Sequence, residues 1–230
     1  MTMRSPFGVN EWYHCYNRGV DKRKVFLDDG DRNRFLLLLY MGNGSVPLHI
    51  SNLKNRNLRA VLGNESIERG EPIVEIGAYT LMPNHFHLAL KEICEGSITT
   101  FMQRIFTAYT MYFNKKYERT GTLFAGPFKS KHIEDDRYLK QFIAYLHLNA
   151  AKLFDPRWKE GHGNPGQIKS LLETYPYSSF PDFIGHKRPE RKILGDSIFD
   201  LYDTLPTLSE MVEDAHAYYA ERIEPSKARP

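Results

Sequence analysis

Little in this chain suggests covalent staples or a lipid anchor. Among 230 residues there are two cysteines, Cys15 and Cys94. They provide neither a disulfide framework nor a zinc-ligand spacing, so a reducing compartment is expected. The longest apolar run, FLLLLYM from Phe35, falls far short of the roughly 20 residues that span a bilayer. The opening MTMRSPFGVNEWYHCYNRG lacks the apolar core of a secretory signal. Repeats and low-complexity tracts are missing too. The formal net charge is only +3, so any nucleic-acid partner must be read from where the charge lies. A soluble, cytoplasmic protein without a membrane partner is the expectation.

What is present is an ordinary globular composition, 41% hydrophobic and 26% charged, in a length that suits one domain with an extension or two small domains. EWYHCYN (Glu11–Asn17) reads as a first strand and DDGDRNRFLLLLYMG as a helix opened by acids and closed by glycine. The polar segment 43–72 has no clear period and is long for a connection, so it reads as an inserted, mobile excursion. IVEIGAYTLM and HFHLALKEI then read as strands joined at a PN turn. A helix follows, with Ser97 as N-cap candidate and Gly121 as its close, then a strand in FKSKHIED and a helix opened by Asp135 and Asp136. Residues 155–230 read as a loop-rich extension with amphipathic segments ending near Ile223, after a domain spanning 1–154. The order β-α-β-β-α-β plus a helix predicts an α+β fold. It would be a ferredoxin-like or RRM-like α/β sandwich with a central antiparallel sheet and a C-terminal helical extension.

PNHFHLAL carries the chemistry. Side chains alternate along a strand, so His85 and His87 share one face while Phe86, Leu88 and Leu90 share the other. Two imidazoles so placed can hold one cation if another element brings a third ligand. On its own, H-x-H more often describes two half-buried histidines satisfied by hydrogen bonds, or a coincidence. In the helix from Arg137 to Leu153, helical periodicity gathers Leu139, Phe142, Ile143, Leu146, Ala150 and Leu153 into a core stripe. Tyr145 and Asn149, four apart, share a face at its border. Taken alone, that pair is better explained as a tyrosine packed at a core margin with an asparagine near the helix end.

The blocks YHCYNRGVDKRKVFLDDGDRNRFLLLL, AYTLMPNHFHLAL, FMQRIFTAYTMYFNKKYERTGTLFAGPFKS, YLKQFIAYLHLNAAK and YPYSSF stand in an order that resembles the single-tyrosine HUH transposases, and within them the REP-associated group. The resemblance covers most of residues 13 to 185. It implies that His85 and His87 are metal ligands, that Asn149 supplies a third, and that Tyr145 is the nucleophile. The implied reaction is cleavage and transfer of single-stranded DNA near a hairpin or palindrome, through a 5′-phosphotyrosine with a free 3′-hydroxyl. The implied cofactor is Mg²⁺ or Mn²⁺, manganese being better matched to two imidazoles. The implied partner is single-stranded or hairpin DNA, and both monomer and homodimer are compatible. A domesticated relative that binds hairpins without cutting is the other reading.

Between Phe101 and Lys140, eight Lys or Arg stand against four Asp or Glu, a local +4. Arg104, Lys115, Lys116, Arg119, Lys129 and Lys131 are therefore candidate DNA contacts, interleaved with aromatics suited to base stacking. Asn17, Arg18, Lys22, Arg23 and Lys24 form a second basic patch after the first strand, where the resemblance implies DNA contact. Two positions depart from the family pattern. Ala150 follows Asn149 where proline is usual, which predicts a softer helix end. Pro127 stands where an arginine is usual, which predicts one DNA contact fewer.

Overall fold

A computed structural model describes residues 6–46, 50–155 and 165–218. The strands β1 (Trp12–Arg18), β2 (Val74–Met82), β3 (His85–Glu92) and β4 (Lys129–Ile133) form one antiparallel sheet in the order β2-β3-β1-β4. The helices are α1 (Asp29–Met41), α2 (Leu58–Leu62), α3 (Ser97–Lys116), α4 (Asp136–Leu148), α5 (Pro165–Thr174), α6 (Phe180–Phe183) and α7 (Leu208–Tyr218). The β1-α1-β2-β3-α3-β4 core is the expected sandwich. Most of the GHGNPG stretch and the expected helical continuation to Ile223 lie outside the described residues.

Alternation along β3 decides what each side of the sheet does. Phe86 is fully buried and meets Phe35 of α1 and Phe106 of α3 at ring-centroid distances of 5.0 and 5.8 Å. The face carrying His85 and His87 is covered by α4 instead, with His14 of β1 4.4 Å from Phe142. α4 also packs against α7, and nine of its thirteen residues are buried.

Local chemistry explains the element ends. The Asp28 carboxylate accepts from the Asp31 N–H at 2.9 Å while Asp31 accepts from the N–H groups of Leu27 and Asp28, a capping box. Ser97 does not cap α3. Gly96, at φ +79°, precedes the helix, and the buried Glu92 carboxylate reaches across from β3. It accepts from the N–H groups of Gly96 and Ile98 at 2.6 and 2.7 Å and from the Ser97 hydroxyl at 3.1 Å. The helix stops at Lys116, short of Gly121.

The 43–72 segment does not hang free. Asn43 pins its base, donating to the Val74 carbonyl and accepting from the Ile73 and Val74 N–H groups, and α2 buries Leu58, Val61 and Leu62. On the outer side of β2, the Leu81 N–H donates to the Tyr177 carbonyl and the Ser179 N–H to the Tyr79 carbonyl, both at 2.9 Å. The YPYSSF block thereby covers a sheet edge that would otherwise be open to pairing.

Candidate active site

Tyr145 reaches the sheet because α4 starts and stops where it does. Asp135 caps the start, its carboxylate accepting from the Tyr138 N–H at 2.7 Å. At Asn149 the helix tightens into a 3-10 turn that runs to Leu153. Here Ala150 leaves the backbone free to continue, with its N–H not lost to a proline ring. The tightening alters the rotation per residue, so Leu139, Phe142, Ile143, Leu146 and Ala150 are buried as predicted while Leu153 turns outward, 37% exposed.

His85 and His87 stand on the same face with ring centroids 5.0 Å apart and planes at 89°. The Tyr145 ring lies 6.0 Å from His87 and 6.4 Å from His14. The Asn149 amide donates from Nδ2 to the Tyr145 carbonyl at 2.9 Å, and its Oδ1 accepts from the Lys152 ammonium at 2.9 Å. The four residues singled out for chemistry therefore converge on one region between sheet and helix. Burial pushes the His85 imidazole down to about 4, with Lys152 and Arg18 adding to the effect, and holds His87 well below its ordinary value, helped by His14, His85 and Lys152. Both rings are neutral at physiological pH, the form that binds metals. Burial raises the Tyr145 phenol, against a lowering from the Asn149 amide.

Four further side chains belong to this region and carried no sequence signal of their own. His14 is buried with Nε2 2.8 Å from His87 Nδ1, and burial together with Lys131 drops its imidazole to about 3. Asn84 places Oδ1 2.6 Å from His85 Nδ1. Lys152 holds the Asn149 oxygen, and Tyr218 of α7 stacks on the Tyr145 ring with centroids 4.4 Å apart. Only the period-two alternation of β1, which sets His14 beside Trp12, Tyr16 and Arg18, could have placed one of them.

Among the described residues no three His, Cys, Asp or Glu side chains converge to hold a metal ion. A cation at the histidine pair would thus need a ligand of another kind. Two neutral imidazoles and the Asn149 amide oxygen fit Mg²⁺ or Mn²⁺ in donor type.

The basic residues divide. Cross-strand pairing sets Lys131 beside His14, Lys129 beside Tyr16 and Arg18 beside His85, so these three exposed cations border the histidine face. Lys22, Arg23 and Lys115 are exposed as well. Asn17 is turned inward. It is 3% exposed on the core face, and its amide serves the Gly126 carbonyl and the Arg18 N–H. Arg104 donates to the Gly42 and Gly44 carbonyls, and Lys116 is paired with Asp28 and Asp31 at 2.7 and 2.8 Å. Arg119 lies over the Phe113 ring and donates to Asn114. Pro127 is exposed in the loop before β4.

Fold and site together define an α+β sandwich whose paired histidines face a helix-borne tyrosine. Residues 64–149 match the model of the family described as transposase IS200 like, a stretch that holds both histidines and Tyr145 and ends on Asn149. Over that stretch, somewhat more than a third of its length, the chain is similar to the IS200-like transposases. A solved structure of a REP-associated tyrosine transposase bound to a REP hairpin aligns with 90% of this chain and 98% of that chain, at 12% identity and a TM-score of 0.48. No curated protein matches the chain. Among the described residues, no helix is long and apolar enough to cross a membrane.

Proposed function

We propose that this protein is a metal-dependent, single-strand DNA endonuclease and strand transferase that cleaves near hairpin or palindromic DNA. The observation that carries the reading is the approach of Tyr145 to His87, at 6.0 Å between rings, inside the segment that matches the transposase family. In this reading the Tyr145 phenol oxygen attacks phosphorus, a new P–O bond forms to the ring, and the bond to the 3′ oxygen breaks. The phenolic proton ends on the departing 3′-hydroxyl, and the DNA 5′ end remains as a phosphotyrosine ester. Because one phosphodiester replaces another, the strand can be rejoined without ATP. His85, His87 and Asn149 would hold a divalent cation. When bound, it would offset the charge that grows on the phosphate in the transition state. Arg18, Lys129 and Lys131 border the site and supply positive potential for the backbone.

The test is a denaturing gel after incubation with hairpin oligonucleotides that carry single-stranded flanks, in Mn²⁺. A protein–DNA adduct is expected that disappears with chelator and in Tyr145→Phe, while hairpin binding persists in the variant. Hairpin binding with no adduct over a broad panel of such substrates would favour the non-cleaving DNA-binding reading.

A further inference from the structure

Both candidate ligands present their Nδ1 atoms to a neighbour rather than to the space between them. His85 Nδ1 lies 2.6 Å from Asn84 Oδ1. The orientation of the Asn84 amide is fixed independently, since its Nδ2 donates to the Lys22 carbonyl at 3.2 Å. The atom facing His85 is therefore an oxygen, which can only accept, and the proton must sit on His85 Nδ1. The Lys22 carbonyl is itself held by unusual backbone: Asp21 and Lys22 adopt φ of 54° and 59°, a left-handed pair without glycine. The turn is tied down where the Gly19 N–H donates to the Asn84 carbonyl at 2.8 Å. One chain of contacts thus runs from a strained turn through an amide to an imidazole.

His87 has the matching arrangement with a different partner. Its Nδ1 is 2.8 Å from His14 Nε2, in a buried contact between two neutral rings where one must donate and the other accept. If His14 donated, His87 would carry its proton on Nε2 and could not ligate through that atom. If His87 donates, its Nε2 keeps a lone pair, as His85 Nε2 does.

We propose that Asn84 and His14 are positioning residues that hold His85 and His87 as Nδ1–H tautomers, so that both Nε2 lone pairs are available to a single divalent cation before it arrives. This rests on the cation-binding reading given above and deepens it. Imidazole in water favours the opposite tautomer, so the preference has to be imposed by the protein. The ring nitrogen that binds metal is set by the hydrogen bond its other nitrogen makes. Both contacts are short, the His14–His87 one buried and the Asn84–His85 one half-buried.

Two-bond ¹H–¹⁵N spectra of metal-free, histidine-labelled full-length protein at neutral pH read the tautomers directly, with peaks assigned by single histidine substitutions. Both His85 and His87 are expected as Nδ1–H. Asn84→Ala should return His85 to Nε2–H and leave His87 unchanged. Asn84→Asp, which keeps an acceptor, should preserve the wild-type pattern. Mn²⁺ affinity, followed by loss of the free-ion electron spin resonance signal, should fall about 10- to 100-fold in Asn84→Ala and far less in Asn84→Asp. Either ring found as Nε2–H in the wild type overturns the proposal. Unchanged Mn²⁺ affinity in Asn84→Ala overturns the positioning role even with the tautomers as stated. If the tautomers are as expected but the wild type binds no Mn²⁺, the cation-site reading itself falls, and the positioning role with it.

Discussion

Asn149 sits where α4 stops being an α-helix, and both ends of its amide are engaged, one by the Tyr145 carbonyl and the other by the Lys152 ammonium. A divalent ion on that oxygen would use its second lone pair and sit close to the Lys152 ammonium. The same ammonium also disfavours protonation of His85 and His87. Lys152→Met is therefore expected to tighten Mn²⁺ binding severalfold in calorimetry, since a like charge is removed from the neighbourhood of the cation. Weaker binding would mean that Lys152 supports the site instead. On the other side of Tyr145, the stacked Tyr218 ring is 3% exposed and also lies 5.7 Å from Tyr138. Tyr218→Ala should lower stability by roughly 3–5 kcal/mol, the range for deleting a large buried aromatic ring. Denaturant unfolding with an unchanged midpoint would show that α7 adds little to α4.

At the scale of elements, the change from α to 3-10 geometry at Asn149 makes a paired prediction. Leu146→Ala should cost about 2–5 kcal/mol, whereas Leu153→Ala, on the outward side of the tightened turn, should stay within about 0.5 kcal/mol. Equal losses would restore the straight stripe that simple periodicity implies. That stripe shows why the sequence was legible as far as it was. Alternation on β3 and a 3.6-residue period on α4 are local properties, so the shared face of the two histidines, the border position of Tyr145 and the sandwich order could be read from spacing, while their roles follow only from the family resemblance. The change of pitch at Asn149, the capping of α3 by Glu92 from another strand and the docking of α2 depend on partners distant in sequence. Asn17 and Lys116 show the same limit: composition marks them as polar, but only tertiary contacts show that Gly126 and the Asp28–Asp31 pair already engage them. His14 and Asn84 went unnoticed because neither belongs to a spacing pattern with its partner. Glu92→Gln keeps the shape but loses the charge that accepts three donors. A loss of roughly 1–3 kcal/mol in unfolding free energy is expected, in line with weakened hydrogen bonds to a buried charged group.

For the whole molecule, buried neutral imidazoles set the response to acid. His14 and His147 are buried, and that burial lowers each to about 3, with Lys131 and Arg188 adding to the effect respectively. Unfolded histidine titrates near about 6.5, so between that value and about pH 3 the unfolded chain binds more protons than the folded one. Stability should fall as pH drops through that window, by up to about 1.4 kcal/mol per pH unit for each such ring. A melting temperature that is flat from about pH 7 to about pH 4 would contradict it. Charge around the histidine face makes a second global prediction. Lys129→Ala and Lys131→Ala should weaken single-strand binding uniformly across sequences, each reducing the slope of log affinity against log salt by about 1. The most direct measurement is mass spectrometry of the covalent species formed on a hairpin substrate in Mn²⁺, after protease and nuclease digestion. The peptide carrying Tyr145 should bear a 5′-linked nucleotide. A nucleotide on any other residue, or DNA cut with no peptide attached, would contradict Tyr145 as the nucleophile.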